Sequence, residues 1–391
     1  MDVLLVIALL LPFTREWRKP LTSLAFIYAT ASSFAQGYPL ASFFFALSLM
    51  IIWLSKWKEA KYPLFFLAMF DLIGIINSQT LLELFIYFEL AIYASYFLIF
   101  SHKKATLRYF IVNVVGSALM LFAIALSFFK TGSLVKLTND ATLFFLVGLL
   151  VKLGIAPFQD WLVEIYKAVS FELRIFFASV LTEISPLALL IIITKPSPTI
   201  EALALFSMLI ANLMSLSEIS LLRFVALVDA SNLAYDLVAI SVASSTSRVA
   251  ALYMMFAHVI TIALIFALIE ASKADNLKEF WIPKGLEIPF YGAFMALAGL
   301  PPFHTFPSKL FLFTSVFSVN DPLSYFLIIN MVLSAFAALR IMSKVKGSKN
   351  IEVNYKVRAV VLALFFLSLY LGLAPKSLFD TATSQINLFT R

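Results

Sequence analysis

One lysine stands in the middle of a strongly apolar stretch. Residues 144–158 read FFLVGLLVKLGIAPF, in which Lys152 is the charged residue. A charged side chain at the centre of a membrane span costs about 3 kcal/mol on insertion scales. Burial favours the neutral amine and a nearby carboxylate favours the ammonium ion, so a lysine under both influences can gain and lose a proton. Lys152 therefore indicates either a proton relay or a static ion pair between two helices.

Acidic side chains and one histidine also fall within apolar stretches. Glu89 lies in LLELFIYFELAIYASYFLIF and Glu183 lies in VLTEISP, while His258 is on a later stretch. Acids inside membrane spans usually mark ion paths, and the alternative for Glu89 is a protonated acid bonded to a neighbouring helix. His258 is a candidate proton shuttle, with a purely structural role as the alternative.

A third polar feature is the segment VDASNLAYD, which carries Asp229, Asn232 and Asp236. Spacings of three and seven residues place these side chains on one face of a helix. Such a stripe can line a hydrated path or hold a cation through oxygen ligands. It can equally be a hydrogen-bond network inside a helix bundle, so these alternatives stay open.

Glycine and proline interrupt two apolar spans, each beside a lysine. They directly follow Lys152, and in the stretch AGLPPFHTFPSKL they precede Lys309. Because proline removes a backbone hydrogen bond and clashes with the preceding turn, we expect broken helices near 152–158 and 299–308. Paired interruptions in two halves of a transporter indicate an internal repeat with its ion site at the broken helices. Simple proline kinks without a function are the alternative.

The amino-acid composition indicates whether these residues lie in water or in a membrane. The chain has 391 residues, of which 62% are hydrophobic and 13% charged, and its mean hydropathy is +0.97. An ordinary soluble domain is about half apolar and a quarter charged, so we predict an all-α polytopic membrane protein. The chain has no cysteine, which excludes disulfides and thiolate-bound clusters. We predict no cofactor site and no metal site.

Apolar runs separated by charged or Gly- and Pro-rich segments predict about fourteen transmembrane helices. They fall near 1–13, 21–36, 39–55, 62–79, 81–100, 105–129, 141–157, 171–194, 199–216, 219–243, 248–270, 286–318, 322–343 and 356–373. Most of the 29 Lys and Arg residues fall in alternate loops. The positive-inside rule places those loops in the cytoplasm and the N-terminus outside.

Five stretches of the chain resemble spans of the antiporter-like membrane subunits of respiratory complex I. They are FIYFELAIYASYFLIF (fifth span), KLGIAPFQDWLVEIYKAVSFELRIFFASVLTEISPLAL (seventh and eighth), SEISLLRFVALVDASNLAY (tenth), AALYMMFAHVITIALIFAL (eleventh) and GLPPFHTFPSKLFLF (broken twelfth). The family includes the large subunits of Mrp-type cation/proton antiporters and of archaeal membrane-bound hydrogenase and sulfane-sulfur reductase complexes. The match covers roughly residues 39–340, and the two broken-helix motifs are its most specific parts.

The resemblance implies a single membrane domain, 1–391, with two inverted five-helix repeats within fourteen spans. The first repeat would cover about 62–194 and the second about 199–343, with flanking spans in 1–55 and 356–373. This expectation agrees with the paired interruptions seen in the residues themselves.

The resemblance also implies an ion path along the midplane of the membrane. Glu89 matches the acidic residue of the family's fifth span, and Lys152 matches the lysine of the seventh span that pairs with it. Lys309 matches the residue that hands the proton to the exit path, and His258 matches a polar position between them.

Three positions depart from the family's pattern. Glu183 stands where the family commonly has a lysine, Ile262 stands where a second lysine often follows the histidine, and Asn232 replaces a histidine of the tenth span. With these departures, Glu183 would substitute as a proton carrier or join the Asp229 stripe in a sodium site. Alternatively the relay is broken and the subunit is structural.

The leading hypothesis is an ion-translocating subunit, for protons or sodium, of a redox-driven multisubunit respiratory complex in the cell membrane. Its partners would be other membrane subunits, including further antiporter-like ones, and the lipid bilayer. Any oxidoreductase catalysis would belong to other subunits. A diverged scaffold subunit that conducts nothing is the main alternative, and a membrane-embedded transferase has little support because the acids are dispersed within spans. Basic loops beside anionic lipid explain the net charge of +7 without nucleic acid.

Overall fold

The computed structural model describes residues 18–58, 61–318 and 324–389. The predicted first span, 1–13, lies outside the described residues. The chain divides into two compact units, one ending at Gly154 and the other beginning at Ile155. This division falls inside the predicted first repeat, so the limits of the two repeats stay a prediction.

The first unit is built from consecutive helices that pack in pairs: α1 with α2, α3 with α4, and α5 with α6. The described helices are α1 (Arg18–Ala35), α2 (Pro39–Leu54), α3 (Lys61–Asn77), α4 (Leu81–Leu98), α5 (Lys103–Thr131) and α6 (Asn139–Leu153). Aromatic rings join the first three: Phe26 of α1 lies 6.0 Å from Phe45 of α2 and 5.6 Å from Phe65 of α3, between ring centroids.

Side chains cap the start of helix α4. The Thr80 hydroxyl accepts a hydrogen bond from the backbone N–H of Glu83 at 3.1 Å. The Glu83 carboxylate in turn accepts one from the backbone N–H of Gln79 at 2.8 Å. These bonds satisfy amide groups that have no partner within the helix. Glu83 therefore has a local structural role at the end of its span.

We expect Thr80→Ala to lower the free energy of unfolding by about 1 kcal/mol, because it removes the acceptor at the N-cap. Thr80→Ser keeps the hydroxyl and is the matched control. Denaturant unfolding of the purified protein in detergent measures both. An equal loss for the two variants would contradict the capping role.

The second unit surrounds two long helices with shorter ones. Its described elements are α7 (Asp160–Ala168), α8 (Phe171–Phe176), a π-helical turn (Phe177–Leu181), α9 (Ile184–Ile192), α10 (Pro198–Ser215), α11 (Leu221–Val242), α12 (Ser245–Ser272), β1 (Ile282–Pro283), α13 (Glu287–Ala298), α14 (Thr305–Phe317), α15 (Ser324–Lys344), β2 (Ser348–Lys349), α16 (Tyr355–Leu373) and α17 (Pro375–Phe389). In α11 and α12 the most apolar 18-residue windows are 100% buried. Because these two helices are buried on all sides, they form the centre of the second unit.

Both predicted helix interruptions are present. Helices α6 and α13 each end one residue before a glycine in the left-handed conformation, Gly154 at φ 70° and Gly299 at φ 76°. Glycine adopts this conformation without a steric cost. The next helices begin at Asp160 and Thr305. The chain between the helices therefore has backbone groups outside regular helical hydrogen bonding beside each buried lysine.

A further irregularity precedes Glu183. The backbone N–H of Thr182 donates to Phe177 at 3.1 Å, a bond across five residues that defines the π-helical turn. Pro186 follows two residues into α9 and has no N–H to give to the preceding turn. The widened turn sets Glu183 at the start of α9. Single π-helical turns within α-helices frequently occur at functional sites.

Within the described ranges, eight helices are long and apolar enough to cross a membrane. The chain is therefore an all-α polytopic membrane protein apart from two very short strands. The predicted total of about fourteen spans and the inverted repeats stay predictions.

Hydrogen bonds join loops that are distant in sequence. Strand β1 pairs with β2 in parallel, with Ile282 opposite Ser348. Ser220, before α11, forms an antiparallel bridge with Asn276, after α12. In the first unit, the N–H of Leu81 donates to the carbonyl of Leu134 at 2.8 Å. These bonds fix helix ends against one another.

Candidate ion-path site

A buried ion pair lies in the first unit. The Lys152 Nζ of α6 is 2.7 Å from the Glu89 Oε1 of α4, and the two side chains are 1% and 13% exposed. Ser117 of α5 lies between them: its Oγ accepts from Lys152 at 2.7 Å and is 2.7 Å and 2.8 Å from the two Glu89 oxygens. The ring of Phe88 lies 5.2 Å from the ammonium. A serine in contact with both charges can pass a proton between them.

Two glycines give the lysine its space. A Cβ on Gly116 would lie 2.8 Å from the Lys152 Cγ and 2.8 Å from the Gly148 carbonyl oxygen. A Cβ on Gly148 would lie 2.6 Å from the Gly116 carbonyl oxygen. Small residues let membrane helices approach closely. Helices α5 and α6 therefore cross in near backbone contact, and Lys152 extends along that crossing.

A second polar group lies in the second unit and is acidic. The His258 Nε2 of α12 is 2.7 Å from the Asp229 Oδ1 of α11 and 3.6 Å from the Glu183 Oε1. The Tyr166 hydroxyl of α7 donates to the other Asp229 oxygen. Asp236 lies close enough to Asp229 and Glu183 to interact with their charges. All of these side chains are buried.

Lys309, beside the second interruption, is buried without an ion-pair partner among the residues that the structure describes. Its Nζ is 3.2 Å from the Ser334 Oγ and 3.4 Å from the Leu297 carbonyl oxygen. The ring of Tyr235 lies 5.1 Å away. The ammonium is thus held by neutral groups and can be discharged without leaving an unpaired carboxylate.

A small cavity lies between Lys309 and His258. Its volume is about 10 Å³, which is space for roughly one water molecule. Asn232 and Thr261 also line it. The predicted polar stripe is therefore divided, because Asn232 faces this cavity while Asp229 and Asp236 belong to the acidic group.

His304 contacts two helices at the second interruption, α12 and α16. Its Nδ1 lies 2.7 Å from the Ser368 Oγ of α16, and its Nε2 lies 2.8 Å from the Ala257 carbonyl oxygen and 3.3 Å from the Thr261 Oγ1 of α12. Its ring is fully buried. These contacts fix the turn to α12 and α16, so His304 is at least a structural member of the site.

The sequence profile of the family described as "NADH:quinone oxidoreductase/Mrp antiporter, TM" matches residues 78–337. This range is roughly two thirds of the chain. The chain belongs to this family. The match includes the ion pair, the acidic group and Lys309, so both polar groups lie within the part of the chain that defines the antiporter family.

Curated relatives within the antiporter family extend the similarity to most of the chain. "NADH-quinone oxidoreductase subunit N" of Shewanella woodyi is 26% identical over 333 residues, covering 73% of this chain and 69% of the relative. The protein of the same name from Geobacter metallireducens is 26% identical over 369 residues, covering 84% and 78%.

Solved structures share the fold of this antiporter-family chain. A chain of respiratory complex I from Thermus thermophilus superposes with a TM-score of 0.86 at 20% identity, covering 97% of this chain and 98% of the other. A chain of an archaeal membrane-bound sulfane sulfur reductase gives 0.85 at 18% identity, covering 99% and 96%. A chain of the Mrp complex from Dietzia sp. DQ12-45-1b gives 0.84 at 17% identity, covering 99% and 95%.

The structure brings together Glu89 and Lys152 in one group, and Glu183, Asp229, Asp236 and His258 in another. Lys309 and Asn232 meet at the small cavity. Ser117, Gly116 and Tyr166 were not predicted as site residues from the sequence. A serine inside an apolar helix was the available signal for Ser117, whereas nothing in the sequence pairs Tyr166 with Asp229.

Proposed function

We propose that this chain is an ion-translocating subunit, for protons or sodium, of a redox-driven multisubunit complex in the cell membrane. The observation that carries the proposal is the buried Lys152–Glu89 pair with Ser117 between its charges. Membership of the antiporter family supports it. The relatives named as subunits of NADH-quinone oxidoreductase, and the similar chains from multisubunit membrane complexes, favour other membrane subunits as partners.

The proposed path starts with a proton on Lys152. The proton passes to Glu89 directly or through the Ser117 hydroxyl, since all three groups lie within hydrogen-bond distance of one another. Loss of the charge ends the attraction between the two side chains and lets Lys152 exchange its proton elsewhere. Glu183, His258 and Lys309 are the further residues that we assign to the path.

Moving one charge against the membrane potential costs about 2.3 kcal/mol per 100 mV. The driving energy would come from redox chemistry in the partner subunits. Redox chemistry in the partner subunits would change the strength of the Lys152–Glu89 ion pair, and this change would control when the proton leaves Lys152.

The test is Lys152→Ala in the intact complex, with redox-driven uptake of protons and of sodium measured in inverted membrane vesicles. We expect uptake through this subunit to be lost while the complex stays assembled, because the exchangeable charge is gone. Lys136→Ala, at an exposed loop position of the same unit, is the matched control. Normal uptake in the Lys152 variant would refute the proposal.

A scaffold subunit without conduction is the second candidate. It is favoured by the buried, apolar Ile262 at a position where relatives often have a lysine. This candidate predicts that neither Lys152→Ala nor Glu183→Gln alters ion uptake. It also predicts that the complex assembles normally in both variants.

A further inference from the structure

Three carboxyl groups are buried close together in the second unit: two are on α11, and the third, Glu183, is at the start of α9 after the π-helical turn. Glu183, Asp229 and Asp236 are each 0% exposed. Asp229 has two polar neighbours: its Oδ1 lies 2.7 Å from the His258 Nε2, without hydrogen-bond geometry, and its Oδ2 accepts from the Tyr166 hydroxyl.

The other two acids have no such support. Among the residues that the structure describes, neither carboxyl oxygen of Glu183 or of Asp236 has a hydrogen-bond partner. No lysine or arginine of these residues lies within ion-pair distance of either acid. His258 is the nearest basic group, at 3.6 Å from Glu183, and it is already paired with Asp229.

The other ionisable groups on the helices packed around these acids have partners of their own. Arg174 contacts the Tyr166 carbonyl oxygen at 2.7 Å, and Arg248 contacts the Ile193 carbonyl oxygen at 2.9 Å. Lys309 contacts Ser334. Two further basic residues, Lys167 of α7 and Arg223 of α11, are exposed. Other ionisable groups of these helices include His304, Tyr235, Tyr253, Glu164, Glu172, Glu201 and Glu270. None of them supplies a positive charge to Glu183 or Asp236.

An isolated ionised carboxylate is so costly in a low-dielectric interior that the group binds a proton instead. Two neighbouring carboxylates oppose ionisation further and titrate as one coupled system. A bound cation is the other way to compensate the charge, but within the described ranges no three His, Asp or Glu side chains are arranged as metal ligands. The geometry therefore favours protons.

We propose that Glu183 and Asp236 form a pair of protonated carboxylic acids that, with the Asp229–His258 pair, stores two exchangeable protons in the second unit. In this site, Asp236 binds a proton just as Glu183 does. Its use in translocation rests on the proposed function above, whereas its protonation does not.

The experiment is to treat the native complex in its membrane with dicyclohexylcarbodiimide, an apolar reagent that adds to protonated carboxyl groups, and to locate the adducts by peptide mass spectrometry. We expect adducts on Glu183 or Asp236, and none on Asp229 or Glu89, whose oxygens lie 2.7 Å from the His258 Nε2 and the Lys152 Nζ. Added sodium should leave the labelling unchanged. A water-soluble carbodiimide should instead label exposed acids such as Glu279.

A second measurement is needed in case the reagent cannot reach these buried acids. The infrared absorption of protonated carboxyl groups is compared between the wild-type complex and the variants Glu183→Gln and Asp236→Asn, with Glu279→Gln as the control. We expect each of the two variants to lose one such band and the control to lose none. Retention of the bands in both variants, or protection of the acids by sodium, overturns the proposal.

These outcomes separate the two proposals. If Lys152→Ala leaves ion uptake normal while Glu183 and Asp236 are protonated, the proposed function fails and the proton store stands. If uptake is lost in the Lys152 variant but the acids are ionised, the reverse holds.

Discussion

Replacing Glu89 with alanine should destabilise the first unit by about 3–5 kcal/mol, the usual cost of removing one partner from a buried ion pair. Lys152 would be left at 1% side-chain exposure without its carboxylate partner, beside the Ser117 hydroxyl and the Phe88 ring.

The double variant Glu89→Ala/Lys152→Ala removes both charges and should recover most of that loss, because a neutral cavity costs less than an unpaired buried charge. Unfolding by denaturant in detergent measures the single and double variants as a cycle. Asp140→Ala, which breaks the exposed pair with Lys130, is the matched control and should change stability little. Additive losses from the two single substitutions would show that the pair is not coupled.

The second large effect is expected at Gly372, in α16. A Cβ at this position would lie 2.0 Å from the Pro302 carbonyl oxygen, 2.5 Å from the Phe303 carbonyl carbon and 2.7 Å from the His304 nitrogen. All three atoms are backbone, so no side chain can turn aside. We expect Gly372→Ala to cost at least about 1–3 kcal/mol, the usual penalty for overpacking.

The displaced backbone carries His304, so the substitution should also separate its ring from Ser368 and Ala257. Thermal unfolding and ion uptake are both measured, and both should fall. Ala363→Val adds more volume at an exposed position of the same helix and should change neither. Wild-type stability in Gly372→Ala would mean that α16 does not pack against the interruption as described.

The sequence predicted those features that depend on local chemistry. Glycine and proline beside Lys152 and Lys309 were sufficient to place both interruptions, since the steric limits of these residues act within a turn or two. The contact of Glu89 with Lys152 was implied by family resemblance, because the two positions are 63 residues apart and no periodicity links them.

Features that depend on packing between distant helices were not predictable. The stripe of Asp229, Asn232 and Asp236 was correctly placed on one helix, but helical spacing does not show which neighbour each side chain meets. The contact of Tyr166 with Asp229 joins two helices of the second unit.

The loop contacts impose a parity rule on membrane crossings. Two backbone segments joined by hydrogen bonds lie on one side of the bilayer, so the chain between them must cross an even number of times. Ile282 pairs with Ser348, so the chain between them crosses the membrane an even number of times. This is met if α13 and α14 together form one crossing and α15 forms the second. The contacts of Ser220 with Asn276 and of Leu81 with Leu134 impose the same parity on α11 with α12 and on α4 with α5. An epitope tag after β1 and one after β2 must accordingly be accessible from the same face of the membrane.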